Sequence, residues 1–267
     1  MNQAFLWTAK ILLGGLLLGT SVAWAQPNQA LKLVTGHVEP WGYVDAEGKP
    51  QGLLITFAQH LADHLSISVD NQLQPYARII HSIRLGKADI AVMFTCEESE
   101  RIAENLGVVV VNMPLLLVGP PGSTPLEKLR ALAGKRVGYI RGARFGEAFD
   151  DADYLEKFPL SHMNQGMAMM LSGRLEALVG TAQSLGFGLR ALGLKPDNIV
   201  LLNYLGELTG SLYFSREAPH PQYKQAVLEA LGKMRRSGAL EEIFAPPVLT
   251  RWAQEQKHKK TSAKERK

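Results

Sequence analysis

Leu115-Leu-Leu-Val-Gly119-Pro-Pro-Gly122 closes one α/β pattern, and Leu126 opens another. A short apolar run that ends in Gly-Pro-Pro-Gly reads as a buried strand followed by an obligatory loop. Upstream, Leu31–Thr35 predicts a strand, Glu39-Pro-Trp-Gly-Tyr43 and Asp45–Gly48 a loop and turn, and Leu53–Leu65 a helix with apolar residues at helical spacing. Ile67–Leu73 predicts a strand, Arg78–Leu85 a helix stopped by Gly86, and Asp89–Met93 a buried strand; Val108–Val111 and Leu115–Val118 read as separate β runs interrupted by Asn112-Met-Pro114. Downstream the pattern repeats: a short helix over Leu126–Leu132, a strand over Arg136–Ile140, a helix opening at Arg144–Phe149, and a helix over Gln165–Ser172. Strands at Ala177–Val179 and Ile199–Leu202 flank a helix over Ser184–Leu192, and Ser211–Ser215, Gln222–Ser237 and Leu240–Phe244 complete the body. Strands alternating with helices form α/β layers. The restart after Gly122 predicts two such lobes.

The 267 residues are 46% hydrophobic and 20% charged, a globular composition that excludes a mainly disordered or collagenous chain. Cys96 is the single cysteine, which excludes an intramolecular disulfide and zinc sites built on cysteine pairs. The net charge of +4 belongs to the ends. Lys10 makes the first 25 residues positive, and Lys257–Lys267 carries six Lys/Arg against Glu265, so the body between is mildly acidic. A nucleic-acid reader carries its positive charge on the folded docking surface, so none is expected as a partner. The tail 254–267 is polar and basic without periodicity and predicts disorder.

At the other end, Lys10, the apolar run Ile11–Leu18 and Ala23-Trp-Ala25 have the three parts of a cleavable signal peptide over residues 1–25. The apolar run is shorter than the ~20 residues that span a bilayer core. No cysteine follows the cleavage site to carry a lipid. An exported, periplasmic protein is expected.

Three patterns carry a resemblance: Glu39-Pro-Trp-Gly-Tyr-x-Asp-x-x-Gly48-x-x-x-Gly52 with its helix; Tyr76-Ala-Arg78 leading to Gly86-Lys-Ala-Asp89 and then Arg101; and Gly134-Lys-Arg-Val-Gly138-Tyr-Ile-Arg-Gly142, echoed by Ser172-Gly-Arg-Leu-Glu176. In order and spacing the chain over roughly residues 30–250 resembles the extracellular solute-binding proteins of family 3, the polar-amino-acid receptors of ABC importers. The resemblance implies a type II periplasmic-binding-protein fold of two α/β lobes joined by two crossing strands, with the ligand in the cleft between them. The chain would leave lobe one near Leu115 and return near Ser211, giving lobe one as 26–115 with 207–253 and lobe two as 116–206. The implied partners are a small-molecule ligand and an ABC permease or a membrane sensor. A monomer without cofactor or metal is expected.

Clefts between domains, beyond the carboxyl ends of strands, are the preferred places for small ligands. That points to the loop carrying Trp41 and Tyr43, which serve either as aromatic walls for a ligand or as a cap on the core. In the family, the arginine at the position of Arg101 grips the ligand's carboxylate, its planar fork suiting two parallel charge-assisted bonds; the alternative for Arg101 is a surface salt bridge with Glu97, Glu98 or Glu104. Arg78 stands beside it as a second candidate. The chain departs from the family elsewhere: Phe94-Thr95-Cys96 replaces small hydroxyl or glycine residues, Gly142-Ala143-Arg144 replaces a turn that offers Ser/Thr, and Thr181 replaces the aspartate that neutralises an α-ammonium. An ammonium without a counter-charge is costly to bury. Arg141 and Arg144 bracket the lobe-two turn, so an arginine-rich cleft is expected to prefer a carboxylate or another anion over a zwitterion. Trp41, Tyr43 and Phe94 favour a ligand with a ring or hydrocarbon body.

The alternative is an exported enzyme of the same fold, such as a dehydratase acting on a cyclic carboxylate. Glu39, Glu176 or His37 would have to serve as its acid or base. No paired-carboxylate, Ser/His/Asp or metal-ligand spacing appears, so a binding protein without catalysis is the expectation.

Overall fold

The computed structural model describes residues 29–245 and 249–255. The expected signal peptide and the tail beyond residue 255 lie outside the described residues. Among the described residues no helix is long and apolar enough to cross a membrane.

The chain opens with β1 (Leu31–Gly36), a loop, and the hairpin of β2 (Tyr43–Val44) and β3 (Pro50–Gln51). Helix α1 (Leu53–Asp63) buries Leu54, Ile55, Phe57, Ala58 and Leu61, the stripe that its spacing predicts. Then come β4 (Val69–Gln74), α2 (Tyr76–Arg84), β5 (Ile90–Phe94), α3 (Glu97–Ile102) and β6 (Ala103–Gly119). The second pattern comprises β7 (Arg136–Ile140), α4 (Glu147–Asp150), β8 (Glu156–Leu160), α5 (Met163–Leu171), β9 (Ala177–Thr181) and α6 (Ala182–Ala191). Strand β10 (Val200–Ser215) leads into α7 (Lys224–Ser237), α8 (Ala239–Ile243) and a final helical run, 249–255.

The strands form one mixed sheet in the order β4-β1-β5-β10-β6-β9-β7-β8. At one end β4, β1 and β5 are parallel, and at the other β9, β7 and β8 are parallel. Within the sheet of the described residues the two triplets are joined through β6 and β10, which pair antiparallel with each other from Ala103↔Ser215 to Gly119↔Val200. The last stretch of β10, Gly210–Phe214, pairs with β5, whereas Leu115–Val118 of β6 pairs with β9. Each crossing strand therefore belongs to both lobes, and the two α/β units share one hydrogen-bonded ladder. That ladder is irregular where it passes between them. Register shifts fall between Leu208 and Gly210 and between Gly210 and Ser211, and Asn112 has a φ of 52°. Such bulges bend and twist a strand pair locally.

Several sequence expectations are corrected here. Val108–Val111 and Leu115–Val118 are one strand of 17 residues, and Val200–Leu202 of the expected Ile199–Leu202 run joins Ser211–Ser215 in one strand of 16. Pro114, which reads as part of an interruption, instead keeps its place in the ladder opposite Glu207, and Gly206 lies at a rung where the register shifts, a place where a strand tolerates glycine. Strand β8 contains Pro159 and sits at the sheet's edge, the place where a strand can do without an N–H donor. The stretch 249–255 is helical, which for 254 and 255 differs from the expected disorder; Leu249 and Ala253 are buried, and a Cβ added to Gly186 of α6 would lie 3.5 Å from Leu249 Cβ.

Methionines 163, 167 and 170 on α5 are fully buried and Met169 packs against them, as helical spacing for core filling requires. Lobe one contains a buried polar clasp. Asp89, with no exposed surface, accepts from the backbone N–H of Lys32 at 2.8 Å, from that of His220 at 2.7 Å, and pairs with His220 Nδ1 at 2.8 Å. His220 Nε2 meets Gln29 Oε1 at 2.7 Å, and its ring stacks on Tyr223. The clasp ties β1, β5 and the segment after β10 together.

Candidate functional site

The carboxyl end of β1 delivers a loop whose backbone is clipped to the first turn of α1. Leu53 and Leu54 donate to the carbonyls of Pro40 and Trp41. Gly52, at φ 124°, makes this possible, since a Cβ there would stand 2.6 Å from Trp41 O. The clip turns Trp41 inward, where it is 9% exposed and its ring lies 6.5 Å from that of Phe244. Its indole Nε1 donates at 3.3 Å to Ser184 Oγ of lobe two.

Around this contact lies a partly open cavity of about 50 Å³ between the lobes. Lobe one contributes Val38, Trp41, Tyr76, Met93 and Phe94; the crossing strands contribute Val110, Met113 and Gly210; lobe two contributes Ile140, Ala143, Phe145, Met163, Thr181 and Ser184. Among the described residues no Asp, Glu, Lys or Arg lines it, and the polar side chains that do are Tyr76, Thr181, Ser184 and the Trp41 indole. Burial, opposed by a hydrogen bond with the Phe94 backbone, pushes the Tyr76 hydroxyl well above its ordinary range, so it remains a neutral hydrogen-bonding group. Thr181 is the N-cap of α6, its Oγ1 accepting from Ser184 N at 3.3 Å, and this holds the Ser184 hydroxyl against Trp41. Thr181→Ala is expected to lower stability by about 1 kcal/mol while Thr181→Ser stays near wild type, as read from urea unfolding midpoints.

Outside the cavity the lobes meet through side-chain pairs. Tyr43 on β2 faces Phe187 on α6, with ring centroids 5.3 Å apart. Glu39 Oε1 lies 3.0 Å from His162 Nδ1, while Glu39 Oε2 is buried without a partner; the His37 ring packs edge-on against His162. A cavity of about 260 Å³ is lined by His37, Tyr76, Arg141 and His162 among others. Gly142, at φ 80°, lets the lobe-two turn come down on α2, since a Cβ there would stand 2.7 Å from Ala77 Cβ. Beside it a polar cavity of about 550 Å³ is lined from both lobes by His81, Arg84, Glu98, Arg144, Asp150 and Lys157 with their neighbours.

The candidate residues are thus divided. Trp41, Phe94, Ala143 and Thr181 meet in the inner cavity. Tyr43 stands at the rim, Thr95 Oγ1 is 2.9 Å from Ser211 Oγ, and Cys96 is the N-cap of α3 with its Sγ 3.5 Å from Ser99 Oγ. The four arginines do not converge. Arg144 and Gly142 line the polar cavity and Arg141 the smaller one, whereas Arg78 on α2 and Arg101 on α3 are exposed and line none of these three cavities. On α3 the buried residues are Ser99 and Ile102, which leaves Arg101 on the outer side. Tyr76, Met113, Phe145, Met163 and Ser184 line the inner cavity without having been singled out as site residues, because in sequence each looks like core or helix.

A model of the bacterial extracellular solute-binding proteins, family 3, matches residues 32–246. Similar solved structures include an ancestral arginine-binding protein bound to arginine, at 19% identity and a TM-score of 0.68 over 80% of this chain and 96% of that one. A histidine kinase sensor domain with similarity to periplasmic binding proteins matches at 16% and 0.69, over 81% and 94%. The ancestral amino acid-binding protein AncCDT-1, a precursor of cyclohexadienyl dehydratase, matches at 17% and 0.67, over 80% and 93%. The search of curated proteins finds no match. At these identities the structural likeness establishes the two-lobed fold.

Proposed function

Because the chain belongs to the bacterial extracellular solute-binding proteins of family 3, we propose that it captures one small solute between its lobes by hinge closure, in the periplasm, and passes it unchanged to an ABC permease or a membrane sensor. The observation that carries this reading is the inner cavity, walled by both lobes and bridged by the Trp41–Ser184 hydrogen bond. A ligand touching both walls has contacts in the closed form that it lacks in the open one, and that difference drives closure. The cavity is small in this arrangement, at about 50 Å³, and a solute gains room as the lobes open.

The solute has an apolar or aromatic body, because Trp41, Phe94, Met113, Phe145 and Met163 supply the wall. Its charged group is a carboxylate held at the rim. No carboxylate side chain lines the inner cavity to neutralise an ammonium, and Arg141 and Arg144 stand on the lobe-two turn just outside. A thermal-shift screen that pairs aromatic and aliphatic amino acids with their deaminated acids tests this, since a ligand of the folded state raises its apparent stability. The acids are expected to stabilise and the amino acids not. The opposite pattern would assign an ammonium to the unpartnered Glu39 Oε2 and overturn the ligand class. The competing reading, an enzyme, would have to use the Glu39–His162 pair as acid and base, and neither residue lines the inner cavity. Incubating a stabilising acid with the protein and recovering it chemically unchanged separates a receptor from an enzyme.

A further inference from the structure

We propose that the polar cavity between α2 and the turn after β7 is a second binding site, for a small doubly charged oxyanion. Arg84 reaches it from lobe one, and Arg144 and Lys157 from lobe two, with His81 beside them. The structure already holds one anion between the two guanidinium groups, the carboxylate of Glu98. Its Oε1 lies 2.8 Å from Arg84 Nη2 and its Oε2 lies 3.9 Å from Arg144 Nε. A guanidinium has five N–H donors, so this single carboxylate, near one nitrogen of each, leaves most of the donor capacity of both arginines for another acceptor.

The second acid of the cavity competes less. Asp150 uses Oδ1 and Oδ2 on the backbone N–H of Phe145 and Oδ2 also on that of Gly146, at 3.1–3.2 Å, and so closes its own loop. Lys157 Nζ donates to the Asp150 carbonyl and lies 5.6 Å from the Phe149 ring centroid, which fixes its charge at the cavity wall. Three cations therefore face Glu98 and a carboxylate that is already engaged, and the net field is positive. Some 550 Å³ is ample for a phosphate or a four-carbon dicarboxylate with its remaining water. Phosphate and dicarboxylate share the chemistry that matters here, two negative charges on oxygens a few ångströms apart. Because the cations come from different lobes, the anion would bind the closed arrangement preferentially and act as a co-ligand of closure. Nothing in this depends on which solute fills the inner cavity.

Calorimetric titration of the mature protein with inorganic phosphate, and separately with succinate, tests the proposal, with ionic strength held constant by sodium chloride and no other solute added. Saturable one-to-one binding of at least one probe is expected. Arg144→Ala should weaken it about tenfold or more, and Arg84→Ala similarly, through loss of charge-assisted bonds. Glu98→Gln removes the internal competitor and should tighten binding about threefold or more. Which probe binds identifies the source of the anion. Absence of saturable binding to both wild type and Glu98→Gln overturns the proposal, as does unchanged affinity in folded Arg144→Ala and Arg84→Ala. Failure of the inner-cavity solute screen would leave this outcome unaffected.

Discussion

Asp89→Ala is expected to lower the free energy of unfolding by about 3–5 kcal/mol, a large share of a typical domain's stability. The carboxylate is fully buried and serves three donors, Lys32 N, His220 N and His220 Nδ1. Alanine leaves all three facing a void, and a buried donor without an acceptor loses its hydration with no replacement. The damage spreads because His220 also positions Gln29 and stacks on Tyr223. Asp89→Asn keeps the shape but replaces one acceptor oxygen by an N–H₂ group, so it should cost about 1–3 kcal/mol. Urea unfolding monitored by circular dichroism reads both as shifts of midpoint at constant slope. A loss below about 1 kcal/mol for Asp89→Ala would mean that water or a rearranged loop replaces the carboxylate.

Trp41→Ala should reduce affinity for the solute found in the screen by about 100-fold or more, the range of a buried aromatic anchor in a binding site. The indole does three things at once: it walls the inner cavity, packs near Phe244, and reaches Ser184 across the cleft. Truncation removes the wall and the bridge together. Trp41→Phe separates them, since it keeps an aromatic face and loses only the Nε1 donor; its cost should be near the ~1 kcal/mol of one hydrogen bond, or less than tenfold in affinity. Calorimetry with both variants decides the matter. Equal losses would place the whole effect in the hydrogen bond, and unchanged affinity in Trp41→Ala would remove this cavity as the solute's site.

The fold was legible in the chain because its signals are local. The apolar stripe of Leu53–Leu65, the glycine stops and the Gly119–Gly122 loop state where elements begin and end, and the restart of the pattern states that there are two lobes. Helix α3 escaped notice because Glu97-Glu-Ser-Glu-Arg-Ile102 is charged almost throughout; only Ser99 and Ile102 go inside, and burial of Ser99 follows from bonds to Phe94 O, Cys96 O and Tyr213 Oη that no periodicity reveals. The site was less legible for the same reason. Whether an arginine enters a cleft depends on which side of a short helix it occupies and on how closely two distant turns approach. Arg101 was read from its distance to Asp89, but that spacing does not say that α3 turns it outward. Ser184 and Met163 acquire their roles only when lobe two comes down on Trp41. An aromatic residue in a glycine-flanked loop has few places to go except inward, and Trp41 is buried.

The crossing strands have a genetic consequence as well as a mechanical one. Met113 pairs with Leu208, and beyond these rungs the chain runs out through lobe two and comes back to the same ladder. Lobe two is thus spliced into a hairpin of lobe one at two positions that are neighbours in space. A chimera between relatives can trade the continuous segment 114–207 in one exchange, joining one α/β unit of one parent to the other unit of the second. The helical run 249–255 limits that freedom, for Leu249 rests on α6 of the exchanged segment although it is encoded far downstream. A chimera that imports lobe two must import this last helix from the same parent, or leave α6 against a surface it did not evolve with.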